Sequence, residues 1–365
     1  MAVLKQKLNR KNESGSYDEI HLKTDATVIS LSPTDETLLS DEISSLKSSV
    51  SNGKSLIASA ITDKGVSTAS DATFQTMANN ISSLAVYDPT KLNFSYTGQY
   101  KERVGGAVEF LTSGKLTIYN DTVVDLFLVG GGGSGGAGTY SRPMRGYLCR
   151  GSRGGGSGYT NTIKAVIIPT GEYNVIIGAG GSAISGSSSP GKYLKGNDGG
   201  KTSILGYEAN GGIAGSNVTQ MDDSVQHPTT NGNGGSGGGA CTYHANTGAG
   251  GSDGSDGYDS ISHDSSPKYK CGKGQGTTTR EFGESSGKLY AGGGGGARYF
   301  DSTNSMLQGP ALTLGGEGGG GNGGIPSNTT AGAANTGGGG GSGVDDATYK
   351  GAAGGSGIVI MRIAK

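Results

Sequence analysis

The sequence predicts a mainly β and irregular protein: a small β head, a short helical or coiled-coil segment, and a β region leading into a polyglycine-II bundle. Three observations carry this. Glycine supplies 74 of 365 residues, about 20% against an average near 7%. It is unevenly placed, since residues 1–129 hold seven glycines and the 236 residues from Gly130 onward hold the other 67. Strand-like apolar segments interrupt the glycine down to the C-terminal end of the chain. The hydrophobic fraction is only 32% and Trp is absent, so ordinary cores cannot fill the whole length.

The elements follow in order. Tyr17 to Leu31 alternates apolar and polar with β-branched residues, as a strand does. Pro33-Thr34-Asp35 then breaks that strand and is a candidate helix start, with Thr34 or Asp35 as cap and Glu36 in the first turn. Leu39, Ile43, Leu46 and Val50 recur at spacings of four, three and four, an a/d seam that continues through Gly53 to Ile57. The stretch reads either as a short parallel coiled coil or as one amphipathic helix on its own domain. Residues 54–86 predict two short helices. The first ends at Gly65, and Ser70 or Asp71 caps the second. Phe74, Met77, Ile81 and Leu84 form the second helix's buried face. Residues 90–129 read as β: alternating Leu92, Phe94 and Tyr96, a hairpin around Ser113-Gly114, and a strong strand from Thr122 to Val129.

Beyond Gly130 there is a further hairpin turned at Pro169-Thr170-Gly171, and strands at Lys201–Leu205 and Gly357–Lys365. Between them lie glycine runs at 130–133, 292–296, 318–321 and 337–341. Polar loops at about 138–150, 214–231, 240–247, 256–290 and 297–313 separate the runs. Collagen is excluded, because proline is only nine residues and glycine lacks a strict period of three. Free glycine carries the largest entropy loss on folding, so a 28% glycine region needs its own source of stability. The threefold polyglycine-II helix supplies one. Its amides and carbonyls point radially, and without Cβ atoms such helices pack side by side and bond one another.

Several chemistries are excluded. Net charge is −1 with dispersed basic residues, which predicts no nucleic-acid partner. No 18-residue apolar stretch occurs, so no membrane insertion is expected, and the first ten residues lack the apolar core of a secretory signal. Gly130, Gly132 and Gly135 match a dinucleotide fingerprint, but no helix signal follows. Gly200-Lys201-Thr202 lacks the first glycine of a phosphate loop, since Lys195 stands there. Asp253, Asp256 and Asp259, three apart, read as surface solvation or a cation site. Cys149, Cys241 and Cys271 fit no metal spacing and predict reduced thiols in a protein made in a cytosol. The four histidines are isolated and no nucleophile elbow occurs, so no enzyme, cofactor or metal is predicted. Tyr is informative: 12 of 17 follow residue 129, many in the polar loops, including Tyr140, Tyr147, Tyr243, Tyr258, Tyr269, Tyr290 and Tyr299. Tyr with Ser, Asn and Gly is the composition of adaptable binding loops.

Asn52 to Leu84, "NGKSLIASAITDKGVSTASDATFQTMANNISSL", resembles a segment of tail-fibre proteins of tailed bacteriophages. The first residues, "VLKQKLNRKNESGSYDEIHLKTDATVI", resemble their N-terminal attachment region. "GEYNVIIGAGG", the glycine runs and "GAAGGSGIVIMRI" are similar to phage glycine-rich tail domains. The resemblance implies a receptor-binding tail protein of the virion, made in the bacterial host cytoplasm and assembled as a homotrimer. Residues 1–32 would attach to the tail tip or baseplate, 33–89 would be helical, 90–129 β, and 130–365 the receptor-binding domain. Loops between the runs would touch a host cell-surface glycan or protein. The contact candidates are Tyr140, Arg142, Arg145, Tyr147, Tyr243, His244, Arg298, Tyr299 and Phe300. The rival expectations are a structural tail component with a glycine spacer and a glycan-cleaving fibre.

Overall fold

The computed structural model describes residues 7–11, 17–21, 30–32, 35–64, 66–83, 91–141, 148–150, 152–186, 194–216, 231–241, 248–261, 267–301, 306–308, 311–344 and 349–364. The chain divides into two units, Met1–Asp88 and Pro89–Lys365. Most of the described elements are β, with two α-helices among them.

In the first unit, β1 (Lys7–Lys11) pairs antiparallel with β2 (Tyr17–His21), and β3 (Ser30–Ser32) with β4 (Asp35–Leu38). The expected helix start at Thr34 or Asp35 is therefore corrected. Asp35 lies opposite Ser32 in a hairpin, and α1 (Leu39–Thr62) begins four residues later, with Asp41 and Glu42 at its electropositive end. The helix also runs through Gly53 into the segment expected as a separate helix. One interior glycine costs about 1 kcal/mol, which the helical turns on both sides outweigh. In α2 (Phe74–Ser83) the cap is Thr73, whose Oγ1 accepts from the Thr76 amide at 3.0 Å, not Ser70 or Asp71. Of the expected buried face, Met77 packs on Ala58 and Ile61, Phe74 and Ile81 are exposed, and Leu84 lies outside the described residues. Ile43, Leu46, Val50 and Ile57 of the seam are exposed as well.

The second unit begins with a β-sandwich. One sheet has the order β12-β9-β25-β7-β6 and the other β16-β15-β13-β8-β5. The strands are β5 (Phe94–Tyr96), β6 (Tyr100–Glu102), β7 (Val108–Phe110), β8 (Gly114–Ile118) and β9 (Thr122–Val129). With them are β12 (Thr160–Ile168), β13 (Gly171–Ile176), β15 (Thr202–Ile204), β16 (Tyr207–Ala209) and β25 (Ile358–Ile363). Both hairpins expected from sequence turn out to be corners. β7 and β8 belong to opposite sheets, and so do β12 and β13. Each strand finds a longer apolar partner elsewhere: β25 lies against both β7 and β9, from the other end of the sequence. The core between the sheets holds Phe110, Leu116, Leu126, Leu128, Ile168, Ile204 and Met361.

β9 and β25 are buried on both faces. Their second faces carry Phe127, Val129, Ile358 and Ile360, which pack with Phe282 and Tyr290 of the segment 278–290. That segment was expected as part of a polar loop at about 256–290. It is a strap over the outer face of the first sheet, with Phe282 and Tyr290 buried beneath it. Ions surround this patch. Asp125, 4% exposed, accepts from Arg362 Nη2 at 3.0 Å and from the Ala165 amide at 3.1 Å.

Six strand ends at one edge of the sandwich pass directly into glycine-rich runs: 130–137, 152–159, 177–182, 195–200, 210–216 and 351–357. The run 130–137 shows the threefold rule. Gly130, Gly133 and Gly136 donate to the carbonyls of Tyr159, Gly156 and Arg153. Gly131 and Ser134 donate to Gly200 and Asn197, and Gly132 and Gly135 to Gly355 and Ala352. Its carbonyls accept from Gly212, Gly181 and Gly340, on three more runs. A period of three with six neighbours is the polyglycine-II bundle, packed hexagonally. None of the glycines at 130–136 has positive φ. At Gly294, a Cβ would lie 2.6 Å from the Gly340 carbonyl carbon, so no side chain fits. The serines among the glycines are buried linkers: Ser157 Oγ accepts from the Ser236 amide at 2.7 Å, and Ser152 and Ser342 both donate to the Gly136 carbonyl.

Two consequences are measurable. Gly294→Ala is expected to destabilise the second unit by about 3 kcal/mol through overpacking, whereas Gly53→Ala, with nothing within 4 Å, stabilises α1 by about 1 kcal/mol. Urea unfolding followed by circular dichroism reads both signs. For Asp125, burial acts to raise the pKa, but the Ala165 amide, Arg362 and Lys164 together hold it below its ordinary 3.8. A depressed folded pKa gives stability that is present above the unfolded value and lost as pH falls through the folded one. The second unit should therefore lose stability below about pH 4, and Asp125→Asn should flatten that acid limb in thermal melts from pH 2 to 6.

Candidate binding end of the glycine bundle

The runs alternate in direction. At the end nearest the sandwich, short turns at 234–236, 253–254, 317–319 and 334–337 reverse the chain. Asp253, Gly254, Gly318, Gly319, Asn335 and Gly337 have positive φ there, as tight reversals require. At the far end the connections are longer, and small sheets gather them. β10 (Thr139–Ser141), β11 (Leu148–Arg150), β19 (Tyr299–Asp301) and β20 (Met306–Gln308) form one four-stranded sheet in that order. β14 (Ile184–Ser185), β24 (Tyr349–Gly351), β23 (Ser342–Val344), β22 (Gly323–Gly324) and β21 (Leu312–Thr313) form another. β17 (Ser260–Ile261) and β18 (Pro267–Tyr269) pair as a hairpin.

The four-stranded sheet joins two of the sequence-predicted loops. Tyr140 lies opposite Cys149, Cys149 opposite Phe300, and Phe300 opposite Leu307, so Tyr140 and Phe300 occupy one cross-strand row. Directly opposed residues share a face of a sheet, and neighbours along a strand alternate. Tyr299, opposite Gln308, is therefore on the other face. Arg298 differs from the expectation of an exposed contact. It is the last residue of the run 291–298, only 8% exposed, and its Nε donates to the Val344 carbonyl at 3.3 Å. Arg142, Arg145, Tyr147, Tyr243 and His244 lie outside the described residues. Sequence reasoning gave Tyr258 no contact role, yet it is 59% exposed where the run 255–258 leaves the bundle. Its signal was present, as one of the loop tyrosines. Exposed Leu312 and Leu314 beside the second small sheet had no signal, because their alternation matches that of a buried strand.

The three spaced aspartates serve the backbone. Asp253 accepts from the Thr279 amide at 3.0 Å, Asp256 from the Gly274 amide at 2.8 Å, and Asp259 from the Cys271 amide at 2.7 Å. Each caps the neighbouring run 271–279, and their carboxylates do not converge. Among the described residues no group of three or more His, Cys, Asp or Glu is arranged to hold a metal ion. Lys201 pairs with Glu208 at 2.6 Å, and the Thr202 hydroxyl accepts from the Gly178 amide, so the phosphate-loop lookalike is strand structure. Among the described residues, no helix is long and apolar enough to cross a membrane. Among the described residues the far end thus carries the cross-strand row of Tyr140 and Phe300 and the exposed Tyr258.

A β-sandwich extended by a polyglycine-II bundle defines a glycine-rich structural class. A family model described as a glycine-rich domain matches residues 111–364, and the chain belongs to that family. The match starts inside the sandwich, just before β8, so sandwich and bundle are matched together. No curated protein matches the chain.

Cys271 is half-buried and free, and burial, then the Asp259 carboxylate, push its thiol up to about 12. Little thiolate forms near neutrality, and the thiolate is the reactive form. Cys271 should react with a maleimide at pH 7.5 at least tenfold more slowly than in the urea-unfolded chain, as followed by peptide mass spectrometry.

Proposed function

We propose that this protein is a phage tail fibre or receptor-binding protein, which attaches the virion to the host cell surface through the loops at the far end of its bundle. The observation that supports this best is the segregation of the two bundle ends. Apart from the strap 278–290, the turns near the sandwich are short and use positive-φ Gly, Asp and Asn, whereas most of the long Tyr-bearing connections leave from the opposite end. Main-chain bonding holds the runs, and the sequence of the connections, with Tyr among Ser, Asn and Gly, is a composition suited to recognition.

On this reading the first unit fastens to the tail tip or baseplate. The exposed seam of α1, Ile43, Leu46, Val50 and Ile57, is where copies associate as a homotrimer. The ligand is a host-surface glycan or protein, held without covalent chemistry, and several copies make a weak single site sufficient. Aromatic faces with a hydroxyl tip suit either ligand class.

Labelled full-length protein should bind intact host cells and reduce phage adsorption when added in excess. Replacing residues 142–147 and 242–247 with Gly-Ser segments should abolish binding while shifting the melting temperature by no more than about 2 °C. Cell binding that survives both replacements would favour a spacer role for the bundle.

A further inference from the structure

The strap 278–290 differs from the other reversals at its end of the bundle. Two to four residues suffice at 253–254 or 334–337, but here the chain leaves the bundle and crosses the outer face of the first sheet. Its backbone-to-backbone bonds are its own. The Glu281 amide donates to the Lys288 carbonyl, Tyr290 to Thr279, Glu284 to Glu281, and Gly287 to Glu284. Among the described residues, no backbone hydrogen bond joins residues 280–289 to the strands beneath.

Side chains hold it instead: Asp253 at its start, which accepts from the Thr279 amide and pairs with Arg280, and two arginine anchors further along. Arg103 Nη1 donates to both carboxylate oxygens of Glu281, at 2.6 and 2.8 Å, and Nη2 donates to the Tyr290 hydroxyl at 2.9 Å. Glu109, on β7, binds the same guanidinium. Arg362 Nη2 donates to Glu284 Oε1 at 2.6 Å, and its guanidinium carbon lies 3.9 Å from the Phe282 ring centre. Lys164 stands 3.9 Å from Glu284. Between the two anchors Phe282 adopts a φ of 54°, a left-handed conformation unusual for a bulky residue, which sets its ring against Phe127. The strap's inner end continues directly into the run 291–298. That run donates to runs at 152–155, 248–251 and 318–324, and ends in β19 of the far sheet.

We propose that residues 278–290 are a detachable clasp, held by Arg103–Glu281 and Arg362–Glu284, whose release frees the inner end of the run 291–298 without unfolding the sandwich. Lifting it breaks ion pairs, the Asp253 bond to Thr279 and the packing of Phe282 and Tyr290 on Phe127, but no sheet ladder, so it opens as a unit of its own. The proposal stands apart from what the far end binds.

Hydrogen–deuterium exchange of the full chain at pH 7.5 tests it. In Glu281→Gln/Glu284→Gln, peptides covering 279–291 should exchange at least tenfold faster, while peptides from β9 and β25 keep wild-type rates. In the wild type, raising sodium chloride from 0.05 to 1 M should speed exchange in 279–291 several-fold and leave β9 unchanged, which covers the case of a variant that folds poorly. Equal acceleration of strap and sandwich, or no change at 279–291 in either experiment, would overturn the clasp.

Discussion

The fold beyond Gly130 depends on one interaction: an amide of one glycine helix bonded to a carbonyl of the next, with the partner changing at each residue and returning every third. Gly130, Gly133 and Gly136 meet one neighbour, Gly131 and Ser134 a second, and Gly132 and Gly135 a third. Every residue is thereby engaged in a different direction, and no single strip of the helix can peel away as a β-strand edge can. The spacing is set by the missing Cβ. At Gly132, as at Gly294, a methyl would meet a neighbouring carbonyl. Glycine therefore fills the close crossings of the runs. Among the residues that interrupt it are serines whose hydroxyls bond to backbone.

That framework is short of hydrophobic burial, and the sandwich supplies it. Strand ends of both sheets run on into glycine helices, so the sandwich fixes where each helix starts and which neighbours it meets. β9 and β25 are central to this. They pair with each other, bury both faces, and lead respectively into the first and out of the last run of the bundle. The strap covers the face that the bundle leaves open, and its arginine anchors lie on β25 and beside β6.

Much of this was legible in the sequence. The glycine asymmetry located the bundle, and the strand-to-glycine junction at Val129-Gly130 is real. The unbroken apolar stretches 126–129 and 358–361 carried a further signal. A strand with one wet face alternates, so continuous Leu, Phe, Val and Ile called for cover on both sides. What supplied the cover was not legible, because residues 278–290 are polar on average and their apolar contribution to the cover is Phe282 and Tyr290. The two corners read as hairpins for a similar reason. Proximity in sequence favours local pairing, but β25, more than 200 residues away, takes the place between β7 and β9. Of the candidate contacts, Tyr140 and Phe300 share a row, and Arg298 is buried because it still belongs to the glycine run rather than to the loop after it.

The sequence alone determined that the protein would be mainly β, that glycine would be its framework, and that polar, Tyr-bearing segments would separate the glycine runs. Those are local properties: the missing Cβ, the alternation of a strand, the composition of a loop. Only the tertiary structure decided which helix lies beside which, which strands cross between sheets, and which acids serve as caps. Those choices rest on long-range pairing, and identical glycines carry no information about their partners. The register came from the sandwich strands at one end and from the few serines, aspartates and arginines spaced among the glycines.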